Sequence, residues 1–226
     1  MATVNNQPAI ILLDICGTLY ASNTTFDFLD FHVRTHRYRL FRRLTHTVIW
    51  RAFNKLLFQT TGLDLTRRMA VRFLKGSSRI QLKAAVDAFY AEWLQKRTYD
   101  AVHSMVKDFQ ERGKTVVIVS ATLDFIAQKV ADSIGVKIWH STCLEYFNDC
   151  CTGRIRVDLL AKKLSFLTNQ GIQPPFFATI TDNYSDTDLI LQSHRAVIVT
   201  NQKQYAKWQR LMKQHQAVTF VQPTIK

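Results

Sequence analysis

The sequence predicts an α/β fold, a parallel-sheet core carrying an inserted all-helical segment, and three observations support this. Short apolar runs that end in a polar residue recur four times along the chain. From residue 99 onward they alternate with helical spacings that stop at glycine. Residues 21–98 carry helical stripes and no strand-like alternation. Short apolar runs bounded by turn residues are the mark of buried strands, and strands alternating with helices make parallel sheets.

In chain order, Ala9 to Leu13 is the first run, ending in Asp14 and then Gly17-Thr18. The insertion follows. Leu40, Phe41, Leu44 and Val48 form one helical stripe, and Leu82, Val86, Phe89, Tyr90, Trp93 and Leu94 another. Gly62 and Gly76-Ser77-Ser78 punctuate the stretch, so three or four helices are expected, with their aromatic residues in the core. Val102, Met105, Val106 and Phe109 then keep i, i+3, i+4, i+7 spacing until Gly113 ends the helix. Thr115–Val119 ends in Ser120, and a helix from Phe125 to Ile134 stops at Gly135. Leu164 and Leu167, after Lys162-Lys163, lead to Gly171; Phe176–Thr181 ends in Asp182, and Ala196–Val199 is the last run. The expected division is a core of residues 1–20 and 99–226 with a helical cap at 21–98.

At 226 residues the chain is long enough to bury a core without disulfides or metal. Cysteines at 16, 143, 150 and 151 fit neither a disulfide framework nor a zinc pattern, so a reducing cytoplasm is expected. Cys150-Cys151 reads as an ordinary pair in a loop or strand. The start MATVNNQPAIILLD has no basic segment before its short apolar run, which argues against a signal peptide, and no run is long enough to span a membrane. Seven histidines are scattered without metal-site spacing; His32 and His36 fall four apart on one expected helix, without a partner acid.

Charge is concentrated. Between Phe31 and Val86 stand thirteen Lys or Arg and one acid, Asp64, so this stretch carries almost all of the formal +13. A basic surface of this kind attracts phosphate-bearing partners, or is simply a solvated helical face.

The chemistry-bearing residues lie at strand ends, where open α/β sheets bind ligands. Asp14 and Asp182 should meet at one edge, with Asp186 four residues after the second. Paired carboxylates on rigid strand ends suit a hard cation such as Mg²⁺, and a carboxylate can also attack phosphorus. Ser120 offers a hydroxyl at a third strand end, and Lys162 or Lys163 a cation for a phosphoryl group. A lone strand-end Asp is usually a turn or cap residue. The ordered set Asp, Ser, Lys, Asp-xxx-Asp is much more specific.

IILLDICGTLY, VVIVSAT and TITDNYSDTDLI resemble the signature motifs of the haloacid dehalogenase-like superfamily. The helical insertion, LKGSSRIQL and TGRI resemble its phosphoserine phosphatase-like branch. The resemblance spans about residues 8–200 and implies a Rossmann-like core, a helical cap, Mg²⁺ dependence and hydrolysis of a phosphate monoester. It makes Asp14 the nucleophile, puts Thr18 in the same loop, and sets Ser120 and Ala121 at the phosphoryl group. It assigns the motif lysine to Lys163, from KLSFL, with Lys162 the alternative. Asp14, Asp182, Asp186 and the carbonyl of Cys16 would hold Mg²⁺. Asn183 and Thr181 are mild departures from the pattern. Cys16 is a serious one, because the family's phosphatases place there the Asp that protonates the leaving oxygen. It reads as a weak acid, as a sign of a substrate with a good leaving group, as the mark of a domain that binds phosphate without turnover, or simply as a small residue that fits the loop.

The stretch Ala21–Thr25 has no acid before Asp27, which argues against an amino-acid phosphate. RTHRYRLFRRL, residues 34–44, is a basic amphipathic helix of the type that lies on anionic membranes. It suits a phosphorylated small molecule or a lipid-linked phosphate, whereas its sparse aromatics disfavour nucleic acid.

Overall fold

The computed structural model describes residues 9–224. The opening residues 1–8, on which the signal-peptide argument partly rests, lie outside that range. Strand β1 (Ile10–Leu13) is central in a seven-stranded sheet of order β4-β3-β2-β1-β5-β6-β7. The other strands are β2 (Thr115–Leu123), β3 (Ile138–Phe147), β4 (Cys150–Val157), β5 (Phe176–Thr181), β6 (Ser193–Val199) and β7 (Val218–Val221). Every pairing is parallel except the β3–β4 hairpin. The four expected strands are β1, β2, β5 and β6. The hairpin, which holds Cys150-Cys151, and β7 lack the uninterrupted apolar run that marks the buried strands, and were not anticipated.

Alternation within the strands sends side chains to two faces. Ile11, Leu13, Val116, Ile118, Ala178 and Ile180 face a large core shared with the helical insertion. Leu12, Val117, Val119 and Phe176 face Leu159, Leu167 and Leu189 on the other side. The central residues of β1, β2, β5 and β6 are buried.

Five α-helices make up the insertion that follows β1: α1 (Thr24–His32), α2 (His36–Thr45), α3 (Val48–Thr61), α4 (Leu65–Val71) and α5 (Arg79–Phe89). Their starts are locally encoded. The side chains of Asn23, Thr35, Thr47, Asp64 and Ser78 each accept a backbone N–H in the first turn. Ser78 and Gln81 form a full capping box. Of the stripe Leu82, Val86, Phe89, Tyr90, Trp93 and Leu94, Tyr90 and Trp93 are half-buried and the other four are buried. The other stripe is corrected: Thr47 starts a new helix, and of Leu40, Phe41, Leu44 and Val48 only Phe41 is buried. His32 and His36 fall on different helices, so they do not share a face.

After β1 and the insertion come α6 (Asp100–Glu111), α7 (Asp124–Ser133), α8 (Lys163–Asn169), α9 (Thr187–Leu191) and α10 (Gln202–Leu211). The insertion is stitched to the hairpin by backbone bonds, Gly76 N–H to Cys151 O and Cys151 N–H to Ser77 O, at 2.8 and 2.9 Å. All four cysteines are free thiols. Among the described residues no helix is long and apolar enough to cross a membrane.

Candidate active site

Parallel pairing of β1 with both β2 and β5 brings Asp14, Ser120 and Asp182 to one sheet edge. The Asp14 N–H still bonds Ile180 O at 3.0 Å, so this carboxylate is held by the sheet itself. One Asp14 oxygen accepts from the Ile15 N–H at 2.8 Å, and the other lies 2.9 Å from Lys163 Nζ. Lys163 also donates to Asp186 at 2.7 Å, and all three side chains are buried. Burial by itself would lower the lysine's pKa, but Asp14 and Asp186 together outweigh it and hold the ammonium charged. Lys162 is exposed and makes no such contact with its side chain.

Thr18 and Asp182 bond reciprocally across 164 residues. The Thr18 hydroxyl donates to the Asp182 carboxylate at 3.1 Å and accepts the Asp182 N–H at 3.0 Å. Gly17 sits at φ +66°, and a Cβ there would overlap the Asp182 carboxylate. Burial first, and then the negative charge of Asp14, push the Asp182 carboxyl up to about 7. Thr181 donates to Asp186 at 2.7 Å, while the other Asp186 oxygen is buried without a partner.

These last two features test the fit to a divalent cation. A carboxyl made reluctant to ionise by a neighbouring carboxylate, beside a buried carboxylate oxygen with no donor, is the environment a hard cation relieves. Among the described residues no three His, Cys, Asp or Glu side chains close around a common point. Mg²⁺ there would need backbone and phosphate oxygens too, as it commonly does. On those terms the residues fit it.

Cys16 is half-buried. Its Sγ lies 2.8 Å from Thr24 Oγ1 and 3.1 Å from Thr122 Oγ1, and these hydroxyls are 2.8 Å apart. Burial, then the charge of Asp14, raise the thiol pKa against the bonds from Thr122 and Thr24. The group is therefore a neutral thiol at neutral pH. Ser120 is fully buried, and its hydroxyl donates to Thr122 at 3.1 Å. Arg67 of α4 reaches in from the insertion, bonding Asp158 at 2.6 Å and the carbonyl of Ala121. Thr24, Thr122 and Arg67 were not foreseen, because Thr122 lies 106 residues from Cys16, Arg67 lies 54 and 91 from its partners, and a threonine eight residues after Cys16 carries no local signal.

A cavity of about 610 Å³ opens on Cys16, Gly17, Asn23, Tyr99 and Asp182. Tyr99 is another unforeseen wall; burial and then Asp182 raise its pKa. Asn23 also lines a second groove of about 1020 Å³ between α1, α2, α3 and α4, with Asp27, Arg42, His46, Trp50, Arg51 and Phe58. Asp27 accepts from Ser22 at 2.6 Å, so one of its oxygens is already engaged.

Solved structures with the same fold include a protein of unknown function from Bordetella pertussis Tohama I, 18% identical, with a TM-score of 0.67 and coverage of 94% of this chain and 98% of that one. A phosphoserine phosphatase in a phospho-aspartyl intermediate analogue form is 14% identical at a TM-score of 0.59, covering 94% and 93%. Cytosolic 5'-nucleotidase IIIB bound to cytidine is 12% identical at 0.61, covering 96% and 81%. No curated protein sequence matches the chain. At these identities the likeness is one of fold. The family profile for haloacid dehalogenase-like hydrolase matches residues 11–190, from β1 through the helix after Asp186. Its span takes in every strand-end carboxylate described above, and the chain belongs to that family.

Proposed function

We propose that the chain is a Mg²⁺-dependent phosphomonoester hydrolase working through Asp14, and the observation that carries this reading is the buried Asp14–Lys163–Asp186 chain at 2.9 and 2.7 Å. A buried ion pair stabilises a fold only weakly, so one at a strand end beside a cavity fits a functional role better than a structural one. Asp14 attacks phosphorus, an oxygen–phosphorus bond forms, and the bond to the leaving oxygen breaks to give a phospho-aspartyl intermediate. Lys163 neutralises phosphoryl oxygens as charge builds on them. Bound Mg²⁺ would be held by Asp14, Asp182, Asp186 and the Cys16 carbonyl, and would supply charge neutralisation for the phosphate. Thr18 orients Asp182, and Ser120 and Ala121, near the C-terminal end of β2, receive the phosphoryl group.

The leaving oxygen needs a proton, and Cys16 is poorly suited to give it. Its raised pKa makes the thiol a reluctant acid. That observation favours a second reading, a phosphate-binding domain with feeble or no turnover. The 1020 Å³ groove, lined by Arg42, Arg51, Trp50 and Phe58, fits a phosphorylated molecule with a sizeable apolar body better than a small amino-acid phosphate. We assign the helical segment 21–98 the role of a cap that selects substrate.

The test is Mg²⁺-dependent phosphate release from an activated aryl phosphate by wild type, Asp14→Asn and Cys16→Asp. Turnover in wild type that disappears in Asp14→Asn supports the hydrolase. Turnover only in Cys16→Asp supports the binding domain, and silence in all three rejects hydrolysis of simple monoesters.

A further inference from the structure

We propose that α2 and α3 form a docking face for the surface of an anionic lipid bilayer. Sequence motivates membrane contact by charge alone, and only on residues 34–44; the structure adds an apolar face on a different helix. No residue of α3 is buried, although the helix is rich in large apolar side chains. Val48, Ile49, Phe53 and Leu56 are 80, 84, 51 and 61% exposed. At 100° per residue they fall within one arc of the helix, together with exposed Ala52. The opposite arc holds the half-buried Trp50, Asn54, Leu57 and Phe58, so α3 is apolar toward water as well as toward the protein.

The preceding helix repeats the arrangement. Tyr38, Phe41 and Thr45 pack inward, while Leu40 and Leu44, one turn apart, are 50 and 56% exposed. Scattered exposed leucines mean little, but apolar side chains aligned along two consecutive helices are a surface with a partner. The cations identify that partner. Arg37, Arg39, Arg43, Arg51 and Lys55 are exposed on the same two helices, which contain no acid at all. An apolar stripe flanked by Lys and Arg is the composition of helices lying in the interface of anionic bilayers. A second copy of the chain is a poorer occupant, because a two-fold contact would set one cationic rim against the other. Nucleic acid fits less well too, since Val48, Ile49 and Leu56 offer aliphatic groups where stacking needs rings.

The groove that meets the candidate active site at Asn23 borders this face, since Val48, Arg51, Ala52 and Lys55 line both. The docking face does not depend on the hydrolase reading, and its test does not use catalysis.

The experiment is co-sedimentation of the full chain with extruded vesicles, either pure phosphatidylcholine or an equimolar mixture with phosphatidylglycerol, at about 0.1 M salt, where charge attraction persists over about 10 Å. Wild type should pellet with the anionic vesicles and stay in solution with the neutral ones. Ile49→Ser/Phe53→Ser/Leu56→Ser should lower partitioning at least ~10-fold, as should Arg37→Glu/Arg39→Glu/Arg43→Glu, because both contributions are needed. The replaced side chains are exposed, and a thermal melt checks that the variants fold. Phe53→Trp is a second readout, whose emission should shift to the blue on anionic vesicles. Wild type left in solution with both vesicles, serine-variant binding equal to wild type, or no emission shift would each overturn the proposal. So would light scattering that reveals a dimer dissolved by the serine changes, since the occupant would then be a second copy.

Discussion

Gly17 shows how narrowly single residues constrain the site. At φ +66° an L side chain is already strained, and a methyl group there would meet the Asp182 carboxylate. Gly17→Ala should therefore cost roughly 1–3 kcal/mol in urea unfolding and remove any Mg²⁺-dependent turnover. Lys163 is under the opposite pressure. Replacing it with Met leaves Asp14 and Asp186 buried without a counter-charge, which should destabilise the fold by roughly 3–5 kcal/mol and abolish activity. An unchanged denaturation midpoint in Lys163→Met would contradict the buried ion chain. At Cys16 the expected change is a gain. Thr24 and Thr122 already direct hydroxyls at Sγ, so a carboxylate placed there would find two donors. If the hydrolase reading holds, Cys16→Asp should raise kcat by roughly 10²–10⁴-fold, the usual worth of general acid–base catalysis. A rate equal to wild type would mean that protonation of the leaving group is not limiting.

Among the elements, α4 is short, and beside its buried Ala70 and Val71 it carries one long polar tether. Arg67 spans from the insertion to Asp158 and the Ala121 carbonyl, so it ties the helical segment to the C-terminal end of β2. Arg67→Ala should cost roughly 3 kcal/mol by leaving a carboxylate and a carbonyl short of donors. Arg67→Lys should recover only part of that, because a point charge cannot serve two acceptors in a fork. Equilibrium unfolding of both variants checks the order, and a Lys variant as stable as wild type would show that only the charge matters. The helix starts were legible at this scale, since caps such as Ser78 with Gln81 are local in sequence. The break at Thr47 was written in the chain as well, as an N-cap residue, but the apolar spacing running across it disguised two helices as one.

At the scale of the whole molecule, one large apolar cluster runs from the sheet into the insertion, from Ile11 and Ile118 to Phe28, Leu82 and Phe89. The helical segment thus shares the core of the sheet, and its packing depends on the strands it covers. His103, edge-on to Tyr20 at 5.2 Å, lies in this seam. Burial lowers its pKa below the usual 6.5, against smaller opposing effects from the Leu19 backbone and Asp100. A base whose folded pKa is depressed is protonated more readily in the unfolded chain, so its contribution to stability falls as pH drops through about 6.5. Between pH 8 and 5.5 the melting temperature of His103→Gln should fall less than that of wild type. An equal fall in both would remove His103 from the pH response.

Sequence by itself determined the parallel α/β core, the insertion, and the run-ending residues Asp14, Ser120 and Asp182, of which Ser120 falls inside β2 because that strand continues to Leu123. Those features depend on local apolar runs and on the residue that ends each run, and both are written in consecutive residues. Tertiary structure alone decided that Lys163 and not Lys162 reaches Asp14, that Thr122 meets Cys16, and that Arg67 bridges insertion and core. Each of those facts is a contact between segments far apart in the chain, and no local pattern records which distant side chains will meet. The same holds for α3. Its apolar spacing marks it as a helix that buries something, and only the packed fold reveals that one of its two apolar faces has no protein against it.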